Sequence, residues 1–347
     1  MTGEDEDVAL PRWRDPAWRA AVDGWVEEQL SRLGLRQTAD TKQDRSYPWS
    51  TVIEVPTNDG SVWFKANARG MHQEAALYDV LVRRAPDHVL HPLALDVDRG
   101  WLLLPDGGQT LRAVEGARTD LGVWEQLLVE YSHLQRELEP YVDELFAAGL
   151  VDATPSALPA MRDALLADDR LLLLDTEKGL SSAERDELVA YAPTYAKQCR
   201  DLAAYGIAVT LQHDDLHDHN VFAPAEPGGP LRVFDWGDAV VGQPFGTLLI
   251  SLKFVAMLAN LDPGADELLR LRDAYLEAWT GDYDTNDLVE AARLAVRVDA
   301  VSRADCFRRA ILEWDESGRG YRTMFDEGVP SWLREQRDPT SLDPSPA

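Results

Sequence analysis

The chain has 347 residues, of which 45% are hydrophobic and 27% charged, so it can bury a substantial core and wholesale disorder is excluded. Its 34 basic and 61 acidic residues give a formal net charge of −27. Because no stripe of lysine and arginine occurs, a nucleic acid or an anionic membrane surface is an improbable partner, and the field suits cationic or metal-bound ligands.

The first hundred residues alternate between helical and strand patterns. Apolar residues at helical spacing predict a helix over residues 16–33, and residues 49–56 show a strand pattern. The turn Asn58-Asp59-Gly60 predicts a hairpin into a strand at 61–66, because these residue types tolerate positive φ. A helix at about 71–84 and a second hairpin, with strands at 89–95 and 101–104, complete the pattern. We expect residues 1–104 to form a small sheet lobe.

The segment Pro105-Asp106-Gly107-Gly108 interrupts this pattern and is the best candidate for a boundary between lobes. Beyond it, helices are predicted at 121–138, 160–174, 184–204, 247–261, 265–280, 285–298 and 302–314, with two hairpins between 207 and 242. We expect residues 105–336 to form a mainly helical lobe. Residues 337–347 contain three prolines and are predicted to be a disordered tail.

The cellular setting is inferred from features the sequence lacks. The acidic amino terminus has no signal-peptide pattern, and the most apolar long stretch, residues 247–261, is too short to span a bilayer. Cys199 and Cys306 are too few for a disulfide framework and form no metal knuckle. We expect a cytoplasmic protein, and no obligatory protein partner is evident.

Acidic residues concentrate where the two hairpins are predicted. Residues 201–250 contain seven acids and a single Lys or Arg residue, Arg232. Phosphoryl transfer uses a loop carboxylate beside the acceptor hydroxyl, an Asn five residues later and an Asp from the next hairpin as metal ligands. Asp215, Asn220 and Asp235 have that spacing. A strand lysine and a helix glutamate would complete the set.

Two motifs carry a resemblance to a known family. The run His-Asp-Asp-Leu-His-Asp-His-Asn at 213–220, followed by Phe-Asp-Trp-Gly-Asp at 234–238, resembles the aminoglycoside phosphotransferase family. That family is a small-molecule branch of the protein-kinase-like fold. The similarity extends to Lys65 with Glu74 and to the connection at 103–108, and it covers roughly residues 46–314. It implies a two-lobed α+β fold with a small antiparallel-sheet lobe and a mainly helical lobe.

The resemblance also implies an activity and roles for single residues. The activity is ATP- and Mg²⁺-dependent transfer of a phosphoryl group to a hydroxyl of a small molecule, such as an aminoglycoside or amino sugar. The roles it implies are Asp215 as catalytic base, Asn220 and Asp235 as Mg²⁺ ligands, Lys65 and Glu74 at the nucleotide phosphates, and backbone groups near Leu104 and Asp106 at the adenine.

The sequence departs from the family pattern at two places. Asp214 stands where the family has glycine, which adds charge and volume to a tight turn. The loop at 43–50, expected over the phosphates, has no glycine to bring backbone N–H groups close. Ser50, Ser46 or Arg45 would have to assist there.

The acceptor and two alternative functions stay open at this stage. Asp238, Asp305 and Glu313 could bind a cationic acceptor, although a solvated helix face is the ordinary explanation for the last two. A catalytically silent nucleotide-binding protein of the same fold is one alternative. A metallohydrolase built on the cluster of His213, His217 and His219 with neighbouring acids is another. The choice between ATP and GTP is also open.

Overall fold

The computed structural model describes residues 9–115, 120–224, 226, 229–316 and 327–343. An antiparallel five-stranded sheet forms the amino-terminal part, and helices dominate the remainder. Its strands are β1 (Lys42–Ser46), β2 (Ser50–Thr57), β3 (Gly60–Asn67), β4 (Ala94–Asp96) and β5 (Trp101–Pro105), and their order in the sheet is β1-β2-β3-β5-β4. The predicted α+β class is confirmed.

The hairpin of β2 and β3 forms where the sequence predicts it. Gly60 closes the turn with φ of 88°, a conformation that glycine adopts without steric cost. The strand register places Lys65 beside Val52 of β2 and Leu102 of β5. Lys65 therefore lies on the central strand, with hydrogen-bonded neighbours on both sides holding its position.

An aromatic cluster joins the sheet to α1 (Pro16–Arg32). The side chain of Asp15 caps the helix by accepting a backbone hydrogen bond of 2.8 Å from its first turn. The ring of Trp25 meets those of Phe64 and Trp101 edge to face, with centroids 5.8 and 5.7 Å apart. Such contacts add to the large apolar area these rings bury, so α1 is an integral layer of the sheet lobe.

The helical part packs around a continuous apolar core that also receives α2 (Glu74–Arg84). Its helices are α3 (Leu111–Glu115), α4 (Leu121–Leu138), α5 (Val142–Ala147), α6 (Leu158–Leu166), α7 (Ser182–Ala204), α8 (Leu248–Ala259), α9 (Asp266–Leu276), α10 (Thr285–Val298), α11 (Ala300–Glu316) and α12 (Gly328–Glu335). Most follow the predicted periodicity closely.

Several helical predictions need correction. The helix predicted at 160–174 ends at Leu166, and the turns that follow place Leu173 and Asp175 at positive φ, which a right-handed helix excludes. The short helices α3, α5 and α12 have no counterpart among the predicted elements. They have too few turns to show a clear helical period, and α12 also contains Pro330.

The hairpin region at 207–242 is also rearranged. Only β8 (Val221–Phe222) and β9 (Arg232–Val233) pair as neighbours along the chain. The strand β10 (Val240–Gly242) pairs instead with β7 (Thr210–Gln212) and, in parallel, with β6 (Val151–Ala153). The loops after β7 and β9 are consequently held side by side at one edge of the helical part.

The predicted disordered tail is corrected for residues 337–343. Leu342 is buried, and the Asp343 carboxylate accepts hydrogen bonds from Arg293 and Arg297 of α10, at 3.3 and 2.6 Å. An apolar side chain and an ion pair thus fix a proline-containing segment that composition alone suggested would be free. Residues 344–347 lie outside the described residues.

The helix α11 packs against the sheet lobe at Gly70, in the turn before α2. A Cβ built on Gly70 would lie 2.0 Å from the carbonyl oxygen of Arg309. Only glycine therefore allows this approach of α11.

The helices in the described part of the chain are all too short or too polar to span a bilayer.

Replacing Gly70 by alanine should destabilise the protein by about 1–3 kcal/mol, because the added methyl forces α11 away from the sheet lobe. Gly24→Ala is the matched control, since Gly24 lies inside α1 with no atom within 4 Å of the added Cβ. We expect it to stabilise by about 0.5–1 kcal/mol. Urea unfolding of both variants measures the difference, and a Gly70→Ala protein of wild-type stability would contradict the close approach.

Candidate active site

A buried ion pair connects the sheet to the loop that follows β9. Lys65 Nζ lies 2.6 Å from Glu74 Oε2 and 2.5 Å from Asp235 Oδ1. Glu74 also accepts hydrogen bonds from Asn67 Nδ2, at 2.6 Å, and from the backbone N–H of Trp236, at 3.0 Å. Lys65 and Glu74, which the resemblance places together at the nucleotide phosphates, are thus in direct contact although they lie close together in the sequence.

The charges of this group stabilise one another. Burial alone would lower the pKa of Lys65, but Asp235 and Glu74 outweigh it and raise the pKa, so the ammonium stays charged. Partial desolvation would raise the pKa of Asp235, but Lys65 holds it below its ordinary value. The side chain of Asp235 remains 44% exposed, so one face of this ion pair is accessible to a ligand.

His213 fixes the loop that follows β7. Its Nε2 lies 2.9 Å from the carbonyl oxygen of Phe234, and its Nδ1 accepts from the backbone N–H of Asp215 at 3.3 Å. Burial lowers the pKa of His213, which keeps the ring neutral with the proton on Nε2. This geometry gives His213 a structural role, because one ring ties the two acidic loops together.

Asp215 is held by three side chains. Its Oδ1 lies 2.6 Å from Arg303 Nη2, and its Oδ2 lies 3.3 Å from His217 Nε2 and 3.1 Å from Asn220 Nδ2. Burial would raise the pKa of Asp215, but Arg303 and His217 reverse this and lower it. The carboxylate is therefore ionised and fixed in one orientation.

Asn220 and Asp235 present oxygen atoms beside this carboxylate. The Asn220 side chain donates to Asp215 through Nδ2, which leaves its Oδ1 on the other side of the amide. Phe234 N–H donates to the Asn220 backbone carbonyl at 3.0 Å, which brings the adjacent Asp235 to the same loop. Amide and carboxylate oxygens are the donors that Mg²⁺ prefers, so the two residues fit the metal expected from sequence.

Sequence reasoning missed Arg303. It comes from α11, 88 positions after Asp215, and bridges Asp215 to Asp238 Oδ2 at 2.7 Å. Together with Lys65, Arg303 compensates the acids that crowd these two loops. The sequence feature that could have identified Arg303 is its position on the apolar face of a helix that also buries Val301 and Ala304.

The remaining acids proposed for the acceptor are paired within the chain. Asp238 pairs with Arg303, and Asp305 is buried against Arg308 and Arg309 of its own helix at 2.7 and 3.3 Å. Glu313 lies 3.1 Å from Arg12 and accepts from the backbone N–H of Arg69 at 3.0 Å. Asp305 and Glu313 thus make their described contacts away from Asp215.

The nucleotide-side predictions occupy two places. Leu104 and Asp106 lie at the end of β5, where Asp106 Oδ1 accepts from the Gly108 N–H at 2.9 Å. Ser50 begins β2 opposite Asn67, directly after the turn that connects it to β1. The predicted loop at 43–50 is therefore largely strand β1 and a turn.

The hairpin of β1 and β2 is fixed by contacts within it and by a hydrogen bond from Trp13. Ser46 Oγ lies 2.8 Å from Thr51 Oγ1 within the hairpin. Tyr47 and Trp49 stack with ring centroids 4.9 Å apart, and Trp13 Nε1 donates to the Tyr47 carbonyl at 2.8 Å. These contacts fix the turn, and Ser46 is engaged within the hairpin.

The histidine-based metal site expected for a hydrolase is not favoured. Both ring nitrogens of His213 are engaged, and His217 directs Nε2 to Asp215 at 3.3 Å and Nδ1 towards Asp218 at 3.9 Å. Although burial lowers the pKa of His217, its hydrogen bonds to Asp215 and Asp218 raise it to about 9, so the ring is cationic at neutral pH. In the described part of the chain, no three His, Cys, Asp or Glu side chains are arranged to hold a metal by themselves.

Asp214 shows why glycine is usual at its position. Its φ is 62°, in the left-handed region, and its buried carboxylate accepts from Ser302 Oγ of α11 at 3.1 Å. Burial raises the pKa of Asp214 to about 7. The substitution therefore adds a titrating group beneath the loop that carries Asp215.

Comparison with known proteins gives structural relatives only. No protein-family model matches the chain, and no curated protein matches its sequence. A mutant aminoglycoside 2'-phosphotransferase bound to GDP is similar at 15% identity and TM-score 0.57, over 90% of this chain and 96% of that one. A choline kinase from Streptococcus pneumoniae is similar at 10% identity and TM-score 0.54, over 91% of this chain and 99% of that one. An amicoumacin kinase bound to AMP-PNP and Ca²⁺ is similar at 12% identity and TM-score 0.52, over 89% of this chain and 90% of that one. These likenesses confirm the protein-kinase-like fold.

Asp214→Asn should change how stability depends on pH. Because the folded pKa of about 7 exceeds the unfolded value near 3.9, the wild type loses stability as pH rises from about 4 to 7. The asparagine variant lacks this loss and tolerates the same φ. It should gain on the order of 4 kcal/mol over wild type between pH 4 and 8. Urea unfolding at both pH values measures this, and parallel pH profiles for the two proteins would contradict it.

Proposed function

We propose that the protein is a kinase that transfers the γ-phosphoryl group of ATP, with Mg²⁺, to a hydroxyl of a small molecule. The observation that supports this best is a continuous set of contacts among the motif residues. Lys65 reaches Asp235 across 170 positions of sequence, and Asn220 joins Asp215 to the same loops. Phosphoryl transfer requires these side chains in one cleft.

The nucleotide is proposed to lie between the two lobes, residues 1–104 and 105–336. Lys65, oriented by Glu74, would meet the phosphates, and the backbone near Leu104 and Asp106 would meet the base. Two structural relatives were solved with a bound nucleotide, GDP in one and AMP-PNP in the other. Backbone recognition of the base would serve either ATP or GTP.

Asn220 and Asp235 are proposed to hold Mg²⁺. The ion would neutralise phosphate charge when bound. Two protein ligands suffice because Mg²⁺ usually binds through one or two side chains together with phosphates and water. One relative was solved with Ca²⁺ and a nucleotide analogue, which supports a divalent cation in this fold.

Asp215 is proposed to accept the hydrogen bond of the acceptor hydroxyl and align it for attack. Its lowered pKa makes it a weak base, so it takes the proton only late in the transfer. This suits phosphoryl transfer, in which positioning and charge stabilisation supply most of the rate. Asn220 and His217 fix the carboxylate from one side, which leaves orientation of the hydroxyl as its task.

The two alternative functions are less well supported. A catalytically silent nucleotide-binding protein would not need Asp215, Asn220 and Asp235 assembled together. A metallohydrolase would need ring nitrogens that His213 and His217 have already engaged. Mg²⁺-dependent ADP release with some acceptor from a panel of hydroxylated compounds distinguishes the kinase from both. Cytoplasmic location remains part of the proposal.

Asp215→Asn should reduce kcat by about 10²- to 10⁴-fold while leaving the affinity for Mg-ATP within about twofold, because the carboxylate contacts the acceptor and not the nucleotide. Steady-state kinetics and calorimetric nucleotide titration are the measurements. Asp163→Asn, on the exposed side of α6, is the matched control and should behave as wild type. Near-normal turnover by Asp215→Asn would remove Asp215 from the mechanism.

Asp235→Ala should weaken Mg-ATP binding by at least about tenfold, because a metal ligand is lost. In EDTA the same variant should bind ATP at least as tightly as wild type, since a carboxylate beside the phosphates has been removed. Calorimetry with and without Mg²⁺ compares the two. Equal weakening in both conditions would count against a metal role.

A further inference from the structure

The acids around Asp215 are neutralised by the protein itself. Arg303 lies between Asp215 Oδ1 and Asp238 Oδ2, at 2.6 and 2.7 Å, and Asp218 Oδ2 lies 2.6 Å from Arg112 Nε. The overall charge of −27 therefore does not describe this site. A visiting cation would find each of these carboxylates already occupied.

Arg303 is fixed rather than free to swing away. Its side chain is only 9% exposed, its Nη1 lies 3.4 Å from Cys306 Sγ, and its guanidinium carbon lies 5.1 Å from the centre of the Phe307 ring. Asp214, behind the same loop, also helps to keep the guanidinium of Arg303 charged by raising its pKa. A buried charge held this way acts strongly on its neighbours because little water screens it.

The helix beside the catalytic loop adds apolar surface. The ring of Phe254 on α8 stacks on His217, with centroids 4.2 Å apart and planes 4° from parallel. Met257 follows one helical turn later on the same face and is 64% exposed. His217 contacts Asp215 directly, so this apolar strip begins next to the proposed catalytic carboxylate.

We propose that Arg303 is a specificity-determining residue: it supplies, from within the chain, the positive charge beside the reacting hydroxyl. The acceptor is then a hydroxyl compound that carries no cationic group close to that hydroxyl. This inference rests on the proposed function, because it takes Asp215 as the group that meets the hydroxyl. An amine next to the hydroxyl would be placed against the guanidinium of Arg303, and like charges repel.

The acceptor inferred for this site differs from those named for two proteins of similar fold. Choline carries a quaternary ammonium two carbons from its hydroxyl, and aminoglycosides carry several amines. The net charge of the whole chain would attract such cations to its surface, whereas the site would exclude them at the point of reaction. Uncharged hydroxyl compounds with an apolar part fit both Arg303 and the strip formed by Phe254 and Met257.

The test measures binding of two cationic probes, kanamycin and choline, by calorimetry at physiological ionic strength. The wild type should bind neither measurably, and Arg303→Met should bind kanamycin at least about tenfold more tightly, because Asp215 and Asp238 lose their cation. Arg303→Lys, which keeps the charge, should exclude both probes. Arg308→Met removes the same charge from a more exposed position of the same helix and should show no gain.

Equal gains in Arg303→Met and Arg308→Met, or wild-type binding as tight as that of Arg303→Met, would overturn the proposal. If Arg303→Met fails to fold, Arg303→Met with Asp238→Asn removes the Arg303–Asp238 pair together. It should still bind kanamycin more tightly than wild type, and no gain would overturn the proposal. Because binding is measured and not turnover, this outcome is independent of the Asp215→Asn test of the kinase function.

Discussion

The site depends on pairing charges that have been removed from water. Lys65 on the central strand compensates Glu74 and Asp235, and Arg303 on α11 compensates Asp215 and Asp238. Removing one partner of a buried pair leaves an uncompensated charge, which is far more costly than the pair itself is stabilising. The two cations therefore fix which elements must meet: a strand, a helix and the two acidic loops.

Each pair also sets the chemistry of the atoms it holds. Lys65 lowers the pKa of Asp235 and Arg303 lowers that of Asp215, so both carboxylates are ionised and can accept hydrogen bonds or hold a cation. His213, in contrast, is kept neutral by burial and serves as a rigid link between the loops. The same contacts thus fix the positions of these side chains and set their ionisation.

Local rules predicted much of this arrangement from the sequence. The Asn58-Asp59-Gly60 turn placed Lys65 on a strand, and the loop spacing brought Asp215 and Asn220 together. What could not be read was pairing between distant segments. Arg303 lies in an ordinary helical pattern, β10 joins β6 and β7 instead of its neighbour, and Asp343 anchors a tail whose composition suggested disorder. Tertiary contact decides such features, and no periodicity encodes it.

The helix α11 has a mechanical consequence. It is 17 residues long, and the ten-residue step from Arg303 to Glu313 spans about 15 Å of rigid rod. At one end, Arg303 pairs with the carboxylate of Asp215. At the other end, Glu313 pairs with Arg12 and accepts a hydrogen bond from the backbone N–H of Arg69, on the sheet side. A rotation of the sheet lobe relative to the helical lobe would therefore be transmitted along α11 to the loop that carries Asp215.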